Sequence, residues 1–150
     1  MARRVFFSFH YKNDVWRASN VRNSNIVEGA SSAGFHDASL WEEAKKKSDA
    51  AVKALIDKGL ENTTVTVVLI GSETSKRKFV TYEIEQSIKR GNGLLGIYVH
   101  NIKDQNEHTS TKGLVPEALS KAGAPVYEWN RDKFGDWVEA AYKAAQNKKK

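Results

Sequence analysis

The chain has 150 residues, of which 40% are hydrophobic and 28% charged, as expected for one globular domain with a substantial core. It contains no cysteine, which excludes disulfides, thiolate metal sites and a cysteine nucleophile. The formal net charge is +6, but the last three residues, Lys148, Lys149 and Lys150, are all basic. We therefore predict a single domain over residues 1–150 with a frayed basic tail at 146–150, and not a nucleic-acid-binding surface.

The first apolar run, at residues 5–7, is far too short for a signal peptide or a membrane span. We therefore expect the protein to reside in the cytoplasm and to have no membrane partner.

The mostly apolar and aromatic run at residues 4–9 predicts the first strand. A first helix follows with Asp14 as its cap. Its apolar positions are Val15, Trp16, Ala18 and Val21. Residues 24–34 are rich in small polar residues and predict a loop that leads into a short strand near Phe35.

Ser39 and Glu42 have the spacing of a capping box, in which the first residue caps a helix and the acid reaches back to it. The predicted helix continues through apolar positions at a period close to 3.6 and stops near Gly59. Residues 65–70 are the strongest predicted strand because they are apolar or β-branched throughout. Such continuous apolarity is typical of a strand covered on both faces, as in a parallel sheet.

The second half of the chain repeats this alternation. A helix with inward-facing Ile84 and Ile88 ends near Gly91, and residues 94–99 predict the next strand. A polar loop occupies 100–113, residues 125–129 predict a last strand, and an amphipathic helix follows. Alternating strands and helices predict an α/β fold with a doubly wound parallel sheet of about five strands. In such sheets ligands bind at the carboxyl ends of the strands, here residues 8–10, 37–41 and 71–74.

Several familiar chemistries lack their motifs. No GxGxxG or GxxxxGK[ST] phosphate cradle occurs, and neither Ser8 nor Ser72 sits in a GxSxG elbow. The four histidines show no HExxH or HxH grouping, so we expect no metal site. The third strand ends in Gly71 and Ser72 without the acceptor aspartate of a receiver domain.

The helix over residues 78–88 carries an acid, Glu83, beside Phe79, Tyr82 and Ile84. An acid in that setting near a strand-end cleft is expected to be partly desolvated and functional. Its spacing fits equally an exposed helical glutamate that pairs with Ser87 or a nearby lysine. Spacing alone leaves both interpretations open.

An ordered set of segments resembles the bacterial TIR-like (Toll/interleukin receptor-like) proteins of the Thoeris antiphage system. These segments are FFSFHY at 6–11, VRNS at 21–24, FHDASLWE at 35–42, VVLIGS at 67–72 and YEI at 82–84. The resemblance covers about two thirds of the chain, to Tyr98. It implies a flavodoxin-like fold and cleavage of NAD to a cyclic ADP-ribose isomer that signals to a downstream effector. It also implies assembly into a homo-oligomer on activation, with NAD as substrate and no separate cofactor.

The resemblance places the catalytic acid at Glu83. Many relatives have tryptophan four residues earlier, where this sequence has Phe79. The remaining candidates for the substrate pocket are Phe9, His10, Asp37, Trp41, Phe79 and Tyr82. For Phe9 and Trp41, stacking on a base and plain core packing are both open.

Elementary chemistry agrees with this assignment. Cleavage of the nicotinamide–ribose bond builds positive charge on the ribose, and a carboxylate in a dry cleft stabilises it. The alternatives are a non-catalytic TIR adaptor that serves self-association, and a nucleoside deoxyribosyltransferase-like enzyme with a carboxylate nucleophile.

Overall fold

The protein is described by a computed structural model that covers residues 4–22, 28–30 and 48–148. The elements in chain order are β1 (Arg4–Ser8), α1 (Tyr11–Arg22), β2 (Glu28–Ala30), α2 (Asp49–Leu60), β3 (Val65–Ile70), α3 (Lys78–Arg90), β4 (Gly93–Tyr98), α4 (Glu117–Lys121), β5 (Val126–Glu128) and α5 (Arg131–Lys148). A short 3-10 turn at Thr74–Lys76 precedes α3. Within these ranges, no helix has the length and apolarity to cross a membrane.

The five strands form one sheet in the order β2-β1-β3-β4-β5, and every pairing between neighbours is parallel. This confirms the predicted doubly wound α/β fold. Strand β2 lies on one side of β1, and β3, β4 and β5 follow on the other side. The sheet therefore reverses its strand order between β1 and β3, and the carboxyl ends of these two strands flank the place where such folds bind ligands.

Both faces of the sheet are covered. All six residues of β3 are buried, as its continuous apolar run predicted. Alternate residues of a strand point to opposite faces, so Val67 and Leu69 join the cluster under α1 and α5. Val68 and Ile70 join a second cluster with α3 and α4. A third cluster, around Phe6, packs against α2.

Helix α1 begins differently from the prediction. It starts at Tyr11, so Asp14 lies in its first turn and does not cap it. Asp14 is fully buried and pairs with Arg17 one turn later. Trp16, predicted to be apolar core, is half exposed. The i, i+3 ion pair explains why an aspartate is tolerated inside the helix.

Strand β2 also lies elsewhere than predicted. Glu28, Gly29 and Ala30 pair with β1 inside the segment that was predicted to be loop. These residue types have weak strand propensity, so the pairing comes from the exposed edge of β1 and not from local sequence. The strand predicted near Phe35 lies outside the described residues.

Helix α2 begins at Asp49. Ser48 is its N-cap, with an extended backbone and a side chain that accepts the Ala51 N–H at 3.1 Å. The helix predicted to run unbroken from Ser39 is therefore interrupted at Ser48, although its end near Gly59 is confirmed. The capping box at Ser39 and Glu42 lies outside the described residues.

At the other end of the chain, α5 continues through Lys148, and the frayed tail expected at 146–150 stays a prediction. The C-terminal half of α5 packs beside the start of β4, where a Cβ on Gly93 would meet the Ala141 carbonyl.

Candidate active site

The central contact of the site joins β1 to α3. The Ser8 hydroxyl donates a hydrogen bond of 2.7 Å to the Glu83 carboxylate oxygen Oε1. Ser8 is the last residue of β1, at the point where the strand order reverses, and it is fully buried. The contact therefore lies at the carboxyl edge of the sheet, where the fold predicts a ligand site.

Glu83 is only 3% exposed, which excludes the interpretation of an exposed helical glutamate. The buried positions of α3 are Val80, Glu83, Ile84 and Ser87. Their i, i+3, i+4, i+7 spacing is the core-facing stripe of a helix. Glu83 therefore lies inside this buried stripe, between Val80 and Ser87, and not at its edge beside the aromatic residues. A carboxylate in such a position is costly unless it is hydrogen-bonded, and it is a candidate for function.

The last residue of this buried stripe is Ser87, whereas Ile88 was the residue predicted there. Ile88, predicted to face inward, is 48% exposed. The Ser87 hydroxyl donates to the Glu83 carbonyl at 2.7 Å and lies 2.6 Å from the Thr66 hydroxyl on β3. The Asn92 amide donates to Thr66 at 3.3 Å. This buried polar chain ties the backbone of Glu83 to the sheet.

A second buried acid lies on the other side of the sheet. Asp14 accepts a hydrogen bond of 3.0 Å from the Arg17 guanidinium, yet burial raises the pKa of Asp14 above its ordinary value of 3.8. Its other oxygen, Oδ2, has no hydrogen-bond partner among the described residues. Gly71, directly after β3, packs so closely on this carboxylate that a Cβ there would lie 2.1 Å from Oδ2. Any side chain at position 71 would therefore displace the Asp14 carboxyl.

Arg17 connects this acid to the loop between β4 and α4. Its side chain donates to the carbonyls of Ile102 at 2.7 Å and His108 at 3.0 Å. Asp104 lies 3.9 Å from the same guanidinium. Two backbone N–H groups donate to Asp104, and these bonds hold the pKa of its carboxyl below the usual value. Arg17 therefore fixes the loop at the carboxyl edge.

The two candidates that follow β1 take different places. Phe9 packs in the core cluster under α1 and α5, on the face opposite to α3. That placement agrees with the core-packing alternative, and a stacking role for Phe9 stays a prediction that the placement does not favour. His10 is almost fully buried, and its carbonyl accepts the Asp14 N–H at 2.9 Å.

Phe79 and Tyr82 lie between α3 and α2. Both pack, half-buried, against the cluster of Phe6 with α2 residues. The Tyr82 hydroxyl donates to Asp57 at 2.9 Å, and burial together with this acid raises the pKa of Tyr82. The structure therefore brings Ser8 to Glu83 and turns the Tyr82 hydroxyl toward α2. The remaining candidates, Asp37 and Trp41, lie outside the described residues.

The opposite edge of the sheet carries a groove of about 790 Å³ between α3, α4 and α5. Alanines dominate its lining, and it includes the start of β4 at Gly93 and the residues before β5. These positions lie at the amino ends of the strands, so the groove is remote from Glu83. Over the ranges that the structure describes, no group of three metal-ligating side chains occurs.

Sequence reasoning missed two partners. Ser8 was singled out only as part of a strand end, although a lone hydroxyl after a buried apolar run signals a polar neighbour. Arg17 was missed because Asp14 was assigned to a cap. Its i, i+3 spacing from Asp14 was the available signal.

A parallel sheet in the order β2-β1-β3-β4-β5 defines the flavodoxin-like α/β class, and in this protein the helix after the third strand carries a buried acid. Residues 6–104 match the family described as Thoeris protein ThsB, TIR-like domain, and the chain belongs to that family. The resemblance seen in the sequence segments is thus confirmed.

One relative is a protein of Bacillus cereus (strain MSX-D12) named "Putative cyclic ADP-D-ribose synthase ThsB1". The two are 45% identical in an alignment 150 positions long, which covers 94% of this chain and 78% of the relative. The likeness therefore extends beyond residue 104 into the last third of the chain, where the sequence segments alone carried little.

Proposed function

We propose that this protein cleaves the nicotinamide–ribose bond of NAD, with Glu83 as the catalytic carboxylate, and makes a cyclic ADP-ribose isomer. The observation that carries the proposal is the buried Glu83, held by Ser8 at the edge where the strand order reverses. A relative that is named a cyclic ADP-D-ribose synthase supports it. An acid at a core-facing position of a helix packs poorly, and this supports a catalytic role for it.

The chemistry needs one negative charge in a dry place. When the bond between ribose C1 and the nicotinamide nitrogen breaks, the nitrogen keeps the electron pair and leaves as neutral nicotinamide. The positive charge passes to the ribose, as in glycoside hydrolysis. A preoriented carboxylate stabilises that charge, and no proton has to be given to the leaving group. Glu83 is buried as this role requires, and the proposal needs its carboxyl to be ionised when NAD is bound.

The second step decides the product. A nucleophilic atom of the same ADP-ribose forms a bond to C1, loses its proton and closes a ring; attack by water gives linear ADP-ribose. Exclusion of water therefore favours the cyclic product. We infer that the active form is a homo-oligomer in which a neighbouring protomer docks on residues 24–34 and thereby closes the pocket. The product then acts in the cytoplasm as a diffusible antiphage signal to an effector.

The test is incubation of the purified protein with NAD, at protein concentrations from nanomolar to tens of micromolar, with mass spectrometry of the products. We expect nicotinamide and a product lighter than ADP-ribose by one water. Specific activity is expected to rise with protein concentration as the oligomer forms.

Three results would redirect the proposal. Absence of nicotinamide at every concentration, and from phage-infected cells that express the protein, would favour a non-catalytic adaptor. A ribosyl group trapped on Glu83 would favour a deoxyribosyltransferase-like route. Activity that stays flat while the protein remains monomeric would contradict the oligomeric site.

A further inference from the structure

Two hydroxyl groups hold Glu83, one at its side chain and one at its main chain. Ser8 donates to its carboxylate at 2.7 Å, and Ser87 donates to its main-chain carbonyl at 2.7 Å. The first bond comes from the sheet and the second from the same helix. Together they fix both the backbone and the free end of a side chain that otherwise has three rotatable bonds.

The two bonds differ in what they can do for catalysis. The Ser87 hydroxyl belongs to the polar chain through Thr66 and Asn92, which fastens α3 to β3. The Ser8 bond reaches the carboxylate itself. A hydroxyl that donates to an ionised oxygen makes a short, charge-assisted hydrogen bond, and 2.7 Å is in the range expected for one. Because the donor is neutral, it orients the carboxylate without cancelling its charge.

Resting on the proposed function, we infer that Ser8 is a positioning residue: its hydroxyl holds the Glu83 carboxylate at the carboxyl end of β1, directed at the ribose. Ser8 is well suited to this because a buried strand end is rigid. Ser8 acts through Glu83 and needs no contact with the substrate.

The Ser8→Ala variant removes the donor and little volume, so we expect it to fold. Turnover (kcat) for nicotinamide release is expected to fall about tenfold to a hundredfold, the scale of a small misplacement of a reacting group. KM for NAD is expected to stay within about twofold, because Ser8 makes no contact with the bound substrate in this proposal. Ser8→Thr keeps the hydroxyl and is expected to recover most of the lost kcat.

A double-mutant cycle separates positioning from a general structural role. In a Glu83→Gln protein, adding Ser8→Ala is expected to change the residual kcat by less than about twofold, because residues that act as a unit are not additive. An equal loss from Ser8→Ala in both backgrounds would overturn the inference. So would a wild-type kcat in the folded Ser8→Ala protein. The cycle gives this answer whether or not Ser8→Thr accommodates its extra methyl group.

The matched control is Thr63→Val. Thr63 is also a buried hydroxyl at the amino edge of β3, donating to the Leu60 carbonyl at 2.7 Å. It also accepts from the Asn92 amide at 3.1 Å, and in its absence Asn92 keeps its hydrogen bond to Thr66. This variant is expected to lower the melting temperature and leave kcat unchanged. Loss of kcat in Thr63→Val equal to that in Ser8→Ala would assign both effects to stability and overturn the inference. Full activity of Glu83→Gln would instead sink the proposed function, so the two failures are distinguishable.

Discussion

Two buried acids lie at the carboxyl edge of the same sheet, on helices that cover opposite faces. Asp14 on α1 is held by the guanidinium of Arg17, and Glu83 on α3 is held by the hydroxyl of Ser8. Arg17 also binds two carbonyls of the loop after β4, whereas Ser8 belongs to a strand. The cation turns Asp14 into part of a structural clamp. The neutral hydroxyl holds Glu83 at the carboxyl end of β1, and the proposed function assigns the chemistry to this second acid.

The surroundings of the two acids sharpen this contrast. Gly71 fills the space in front of Asp14, so that even a methyl group at this position would clash. Both acids are buried near the place where the strand order reverses, so burial and position do not separate them. They differ in the group that holds each carboxyl, which is a guanidinium for Asp14 and a hydroxyl for Glu83.

The largest expected effect on stability comes from Arg17→Met. The change leaves the Asp14 carboxylate buried without its cation and frees the loop carbonyls, at a cost of about 3–5 kcal/mol in the free energy of unfolding. The free energy of unfolding is measured by urea denaturation, with the dependence on urea concentration (the m value) unchanged between the variants. A loss below about 1 kcal/mol would be the scale of an exposed pair and would contradict the clamp.

The control for this prediction is the double variant Arg17→Met with Asp14→Leu. Removing both charges also removes the uncompensated one, so part of the lost stability is expected to return. If the double variant is less stable than Arg17→Met alone, the cost does not come from the buried charge.

A smaller effect is expected from Asp14→Asn, and its sign depends on pH. Burial raises the pKa of Asp14 in the folded protein above 3.8. The folded state therefore binds this proton more tightly, and the stability that Asp14 contributes is complete below 3.8 and is lost as the pH rises through the raised pKa. The melting temperature of the wild type, relative to Asp14→Asn, is expected to increase as the pH falls from 7 toward 4.

Asp104→Asn is the matched control with the opposite sign. Hydrogen bonds from the backbone of His108 and Asn106 lower the pKa of Asp104, so its contribution is present above 3.8 and is lost as the pH falls through the lowered value. The two variants should therefore diverge on acidification. If the melting temperatures of both variants, relative to the wild type, changed in the same direction with pH, the raised pKa of Asp14 would be wrong.

Much of the fold could be predicted because its strongest elements are locally consistent. The β-branched run of β3 and the apolar period of α3 determine their own structure, and Gly91 ends α3 in the left-handed conformation expected of glycine. Strand β2 could not be predicted, because Glu28, Gly29 and Ala30 become a strand only by pairing with β1.

The acid of the site was predicted from its aromatic neighbours and from the family resemblance, but its orientation was not. Helical spacing alone cannot choose between Ser87 and Ile88 as the residue that faces the sheet. That choice is made by Thr66, which offers Ser87 a hydroxyl partner from β3. Contacts between residues far apart in sequence, such as Ser8 with Glu83, are likewise invisible to local patterns.

The most direct test of the central claim is nicotinamide release by Glu83→Gln, measured beside Glu85→Gln on the same helix. Glu83 is buried and bonded to Ser8, whereas Glu85 is exposed. Glutamine keeps the shape and removes the charge, so Glu83→Gln is expected to lose about a hundredfold or more in kcat. Glu85→Gln is expected to stay within about twofold, as for other exposed sites. Turnover near that of the wild type in folded Glu83→Gln would contradict the account.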